Sequence, residues 1–91
     1  MGANFNLLSL NTRGLSNFAK RRAVFTYCRK NSADIVFLQE THSTPQLQIN
    51  WKNEWGGRIF FSHGQHNARG VAILIRNGLD VEVIHEVPDN L

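Results

Sequence analysis

The string Asp34-Ile35-Val36-Phe37-Leu38-Gln39-Glu40-Thr41-His42 decides how this chain is read. Ile35 to Leu38 is an uninterrupted apolar run between polar neighbours, consistent with a strand buried on both faces, as in a parallel sheet. Upstream, Ser16 or Asn17 caps a helix whose apolar residues Phe18, Val24, Phe25 and Cys28 fall at helical spacing, and Asn31-Ser32 ends it. Further upstream, Asn4 to Leu10 reads as another buried strand, closed by the turn-forming Asn11-Thr12-Arg13-Gly14. The order strand, helix, strand makes the two strands parallel, joined by a right-handed crossover, so both end at the same edge. If they are neighbours, roughly 5 Å apart, Asn11 and Glu40 meet at the carboxyl edge, where open α/β sheets place their ligands.

Downstream the signal weakens. Thr41 to Gly57 reads mostly as loop with one short helix, opened by Pro45 and anchored by Trp51 and Trp55 on one helical face. Arg58 to Ser62 and Gly70 to Arg76 read as a hairpin with a long turn, and the alternation from Val81 to Val87 suggests a further antiparallel strand. The fold class expected is α/β: one mixed sheet with a strand-helix-strand start followed by antiparallel strands.

With 91 residues, 42% of them hydrophobic and only two prolines, the chain is at most one domain and has the composition of a globular one. No apolar run approaches the roughly 18 residues of a membrane span. Met1 to Leu10 lacks the features of a signal peptide, so an intracellular setting without a membrane partner is expected. The lone Cys28 reads as a core thiol. The net charge is only +3, yet Arg13, Lys20, Arg21, Arg22, Arg29 and Lys30 all precede the first acid, Asp34. That cluster is either a solvated helix face or a surface for a polyanion such as nucleic acid.

A carboxylate at a strand end beside polar residues suits a hard cation such as Mg²⁺, which takes one or two carboxylates and keeps several waters. Such an ion polarises a phosphate oxygen during phosphodiester hydrolysis. From spacing alone, Glu40 reads as a solvent-facing loop carboxylate rather than as a metal ligand.

Two stretches carry a resemblance. Ser9-Leu10-Asn11-Thr12-Arg13-Gly14-Leu15 and Asp34 to His42 resemble the first and second motifs of the apurinic-endonuclease-like domain of non-LTR (LINE-type) retrotransposons, in the endonuclease/exonuclease/phosphatase superfamily. The likeness extends to Lys20-Arg21, to the tryptophans before Gly56-Gly57 and to Arg69-Gly70-Val71-Ala72-Ile73-Leu74. It implies a Mg²⁺-dependent DNA endonuclease, with Mn²⁺ as the substitute ion, that nicks target DNA. Glu40 would hold the metal and Asn11 would orient the phosphate or a supporting carboxylate. Low-weight DNA contacts are Arg13, His42, Asn67 and Arg69, although Arg13 reads equally as a solvated turn residue and His42 rather as an imidazole packed under the next segment. Gln39 reads as a brace for the strand end, His63 and His66 as surface residues, and Trp51, Trp55, Phe60 and Phe61 as core.

The resemblance further implies a four-layer sandwich whose later half supplies an Asp-x-Asn motif, another aspartate and an Asp-His pair. None of these has a counterpart within 1–91. Residues 1–91 are thus expected to be the first half of a domain, inactive alone, with a missing C-terminal half and, in a retrotransposon parent, a downstream reverse transcriptase. The alternatives are an abasic-site repair endonuclease or other phosphoesterase of the same superfamily, and a non-catalytic nucleic-acid-binding remnant.

Overall fold

The computed structural model describes residues 5–63 and 70–81. A four-stranded mixed sheet carries two helices on one face. Its strands are β1 (Leu7–Asn11), β2 (Ile35–Gln39), β3 (Arg58–Ser62) and β4 (Val71–Ile75), in the spatial order β1-β2-β4-β3. β1 and β2 are parallel, with Leu7 opposite Ile35 and Asn11 opposite Gln39, whereas β4 runs antiparallel to both β2 and β3. The expected α/β class and strand-helix-strand start are therefore present, with β3 and β4 paired as read from the sequence. The turn at 64–69 and most of the strand expected at Val81 to Val87 lie outside the described residues.

Between the parallel strands runs α1 (Phe18–Lys30), whose first-turn amide of Lys20 donates to the Asn17 side chain at 3.0 Å. Arg29 and Lys30 in its last turn suit the negative end of the helix dipole. The helix stops where Ser32 turns left-handed, at φ 54°. There the Ser32 amide donates to the Arg29 carbonyl and the Ala33 amide to the Cys28 carbonyl, both at 3.0 Å, the bond pair of a Schellman terminus. The segment expected to be mostly loop with one short helix holds a 3₁₀ turn at Pro45–Leu47 that runs into α2 (Gln48–Trp55), so the helix is present and takes up more of the segment than expected. Gly57 follows because a Cβ there would collide with the backbone of Ile75 and Asn77.

Strand alternation sorts the core. Leu8, Leu10, Val36, Leu38, Ala72, Leu74, Ile59 and Phe61 face the helices and pack with Phe25 and Cys28 of α1 and Trp51 and Trp55 of α2. Phe25 meets Trp55 edge-on at 5.7 Å between ring centroids. Cys28 is fully buried, and that burial pushes its thiol pKa upward, which suits a core group. The opposite sheet face leaves Leu7 (62% exposed), Phe37 (37%) and Val71 (47%) open, an apolar surface that a globular chain normally covers.

One ion pair locks the helices together. Arg21, which sequence places in the basic cluster, is buried: its Nε and Nη2 each donate at 2.8 Å to the two carboxylate oxygens of Glu54, and its Nη1 donates to the carbonyls of Leu15 and Ser16. The guanidinium also lies 5.3 Å from the Trp51 ring centre. A guanidinium of this kind is tolerated only because every side of it is met by an acceptor or a π face.

Glu54→Ala is expected to cost about 2–3 kcal/mol in urea unfolding, because it strands the Arg21 charge. Replacing both partners, Arg21→Met with Glu54→Leu, should recover only part of that loss, because the carbonyls of Leu15 and Ser16 lose the guanidinium as well. At the far edge of the sheet, the Asn6 amide and Arg76 Nε donate to Asp34 at 2.9 and 2.8 Å. The Asn6 amide first, and Arg76 next, hold the Asp34 pKa below its ordinary value. Its folded pKa is thus the lower one, so its contribution is present above the unfolded aspartate pKa and fades as pH falls through the folded one. Asp34→Asn should therefore flatten the acid limb of the stability–pH curve.

Candidate active site at the carboxyl edge of the sheet

The parallel pairing of β1 and β2 does not stop at the strand ends. The amides of Thr12, Gly14 and Leu15 donate to the carbonyls of Gln39, Glu40 and Thr41 at 2.9, 2.6 and 2.9 Å. Thr12, itself buried, adds its hydroxyl to the carbonyls of Gln39 and Glu40. The two loops therefore leave the sheet as one ribbon.

That ribbon aims the candidate residues. Asn11 Nδ2 donates to Glu40 Oε2 at 2.6 Å, while Asn11 Oδ1 accepts the Arg13 amide at 3.3 Å, so both ends of the side-chain amide are engaged. The amide's orientation is thereby fixed with its donor toward the carboxylate. The backbone here is unusual: Arg13, Glu40 and His42 have φ of 52°, 53° and 56°, and Gly14 has 95°. Left-handed non-glycine residues are uncommon and persist only where their surroundings over-determine them. At Glu40 those surroundings are the bonds to its carbonyl from Gly14 and Thr12.

The other expected residues fall as follows. Gln39 braces the edge, its Nε2 donating to Ser9 Oγ at 3.0 Å and to the Phe37 carbonyl at 3.2 Å. Arg13 is exposed, and its carbonyl accepts Lys20 Nζ at 3.4 Å. His42 is exposed and faces the first loop, its Nδ1 lying 3.0 Å from where a Cβ on Gly14 would be. It is therefore not packed under the following segment, because its left-handed φ turns it back over Gly14. Asn67, Arg69 and His66 lie outside the described residues.

Sequence reasoning missed His63. Read as a surface residue, it is half-buried and bonded through both ring nitrogens, at 2.7 Å to Ser43 Oγ and at 2.7 Å to Gln48 Oε1. Nothing in the spacing of Ser43, Gln48 and His63 announces this, because the three meet only through the tertiary fold.

Among the described residues no group of three or more His, Cys, Asp or Glu side chains is gathered. Asp34 and Glu54 are committed to Arg76 and Arg21. Glu40, with a neutral amide as its bonded partner, supplies one hard oxygen donor set at the edge, which fits an ion that takes one or two carboxylates and fills its shell with water.

Gly14→Ala should cost about 1–2 kcal/mol from the left-handed backbone alone, and more from the contact with His42. Urea unfolding of the double variant Gly14→Ala/His42→Ala checks the division: the contact part should be relieved and the backbone part should remain.

Comparison with known proteins places the chain in a family. Residues 3–91 match the sequence model of the Endonuclease/Exonuclease/phosphatase family. The chain is also 37% identical, over 79 residues, to the "Transposon TX1 uncharacterized 149 kDa protein" of Xenopus laevis. That alignment takes in 87% of this chain and 6% of the transposon protein, so the chain corresponds to a small part of that relative. A match along almost its whole length, on a sheet whose first two strands bring Asn11 to Glu40, establishes that this chain belongs to the endonuclease/exonuclease/phosphatase family.

Proposed function

We propose that residues 1–91 are the first part of a divalent-metal-dependent DNA endonuclease domain that hydrolyses phosphodiester bonds, in a protein of retrotransposon type. The family supports a nuclease- or phosphoesterase-type reaction, and the name of the Xenopus relative supports the transposon setting. The observation that carries the reading is the Asn11 Nδ2 to Glu40 Oε2 bond of 2.6 Å at the shared strand edge.

Glu40 would hold the ion, Mg²⁺ in function and Mn²⁺ as its substitute. When bound, the ion supplies Lewis-acid polarisation of a phosphate oxygen. Asn11 keeps the Glu40 carboxylate in one rotamer, so less is lost to ordering when a ligand arrives. One carboxylate and one amide do not activate a water, stabilise a five-coordinate phosphorus and protonate a leaving group. The remaining groups belong to the rest of the domain. The open apolar face around Leu7, Phe37 and Val71 is where that remainder packs.

DNA is the partner this reading needs. Arg13, Lys20, Arg22 and Lys30 remain exposed, which also favours a second reading in which the chain only binds nucleic acid. No helix among the described residues is long and apolar enough to cross a membrane.

Mn²⁺ added to the isotopically labelled 91-residue chain should broaden the amide resonances of Asn11, Glu40 and Thr41 first, and Glu40→Gln should remove the effect. The same chain should leave supercoiled DNA un-nicked in Mg²⁺. A Mg²⁺- and Glu40-dependent nick would contradict the division of the site. Salt-sensitive DNA affinity that ignores both Glu40→Gln and chelation, with no Mn²⁺ effect, would favour the binding-only reading.

A further inference from the structure

Behind Glu40 lies a buried polar chain that the proposed chemistry does not use. Thr41 is fully buried and Ser43 is 2% exposed. Thr41 Oγ1 donates to Ser43 Oγ at 3.2 Å, and the Ser43 amide donates back to Thr41 Oγ1 at 3.4 Å. Ser43 Oγ meets His63 Nδ1 at 2.7 Å, and His63 Nε2 meets Gln48 Oε1 at 2.7 Å. In the neutral ring, the amide oxygen at Nε2 selects the Nε2-protonated tautomer, and Nδ1 then accepts from the Ser43 hydroxyl. The donors then all point one way, from Thr41 through Ser43 and His63 to Gln48.

This chain ties together three segments: the loop leaving β2, the residue after β3 and the first residue of α2. The His63 ring is also stacked on Phe61, 5.1 Å between centroids, and Phe61 packs on Trp51 in the core. His63 is thus anchored from below and presents one nitrogen to the loop above. Thr41 sits between two left-handed residues, Glu40 at φ 53° and His42 at φ 56°. Its amide donates to the Gly70 carbonyl at 3.2 Å and its carbonyl accepts from Leu15. Its hydroxyl is the remaining handle, and His63 holds it through Ser43.

We propose that His63 is a positioning residue for Glu40. Its bond to Ser43 locks Thr41, and a locked Thr41 keeps the strained Glu40 backbone in the orientation that meets Asn11. The inference rests on Glu40 being the metal-holding carboxylate.

The test uses the 91-residue chain, Mn²⁺ as the probe and four variants. His63→Phe keeps the stack on Phe61 and removes both hydrogen bonds. His63→Asn places an acceptor oxygen on Cγ where Nδ1 stood, keeping the link to Ser43. Ser43→Ala cuts the same link from the other side, and His63→Phe/Ser43→Ala combines the two. Groups that orient a metal ligand typically contribute about 10–100-fold to affinity. His63→Phe and Ser43→Ala should each weaken Mn²⁺ binding at Asn11 and Glu40 by about tenfold, with the double variant no worse than either. His63→Asn should stay close to the unmodified chain. The ring ¹⁵N shifts of His63 should show the Nε2-protonated tautomer. The carbon shifts and amide coupling that report the left-handed φ of Glu40 should change in His63→Phe but not in His63→Asn.

If Glu40→Gln abolishes Mn²⁺ binding while His63→Phe and Ser43→Ala leave affinity and Glu40 backbone signals untouched, the positioning role is overturned and the reading of Glu40 stands. If the unmodified chain shows no Mn²⁺ effect at Asn11 and Glu40, the metal reading falls. The backbone signals then decide: their change in His63→Phe upholds the positioning of Glu40, and their persistence overturns it.

Discussion

Everything at the functional edge depends on the parallel pairing of β1 and β2 continuing past the last strand residues. Parallel neighbours end on the same side, so their loops emerge together. Here the loops stay bonded, with Thr12, Gly14 and Leu15 donating to the carbonyls of Gln39, Glu40 and Thr41. A one-residue slip of that register would turn Asn11 to the other face of the sheet and take it away from Glu40.

The ribbon is costly, which is why it is held so thoroughly. Arg13, Glu40 and His42 occupy a backbone region that side chains with a Cβ avoid. Such residues cost on the order of 1–3 kcal/mol each. The offset comes from the Thr12 hydroxyl, the bonds to the Glu40 and Thr41 carbonyls and the Thr41–Ser43–His63–Gln48 chain beneath. Beyond it, the bidentate Arg21–Glu54 pair fixes α2 against α1, and α2 carries Gln48 at its first position.

Much of this was legible without coordinates, and the reasons are local. Ile35 to Leu38 declares a strand by its apolar run, the pair Ser16-Asn17 declares a helix start by its capping side chains, of which the fold uses Asn17, and the crossover rule then puts Asn11 beside Glu40. The paired strands β3 and β4 were legible from their apolar content. What stayed hidden depends on partners distant in sequence. Arg21 reads as one more surface charge until Glu54, 33 residues on, arrives beside it. His63 reads as a turn histidine until Ser43 and Gln48 close on its two nitrogens. His42 is misread for a different reason, since residue type signals a left-handed φ at a non-glycine position only weakly.

Glu40, oriented by Asn11, is proposed as the place where this part of the domain holds a divalent cation. The most direct measurement is a crystal structure of the chain soaked in Mn²⁺, with anomalous scattering used to locate the ion. An anomalous peak is expected within coordination distance of a Glu40 carboxylate oxygen, with Asn11 Nδ2 still bonded to that carboxylate. A peak elsewhere, with Glu40 turned away from Asn11 or paired with a basic side chain, would contradict it.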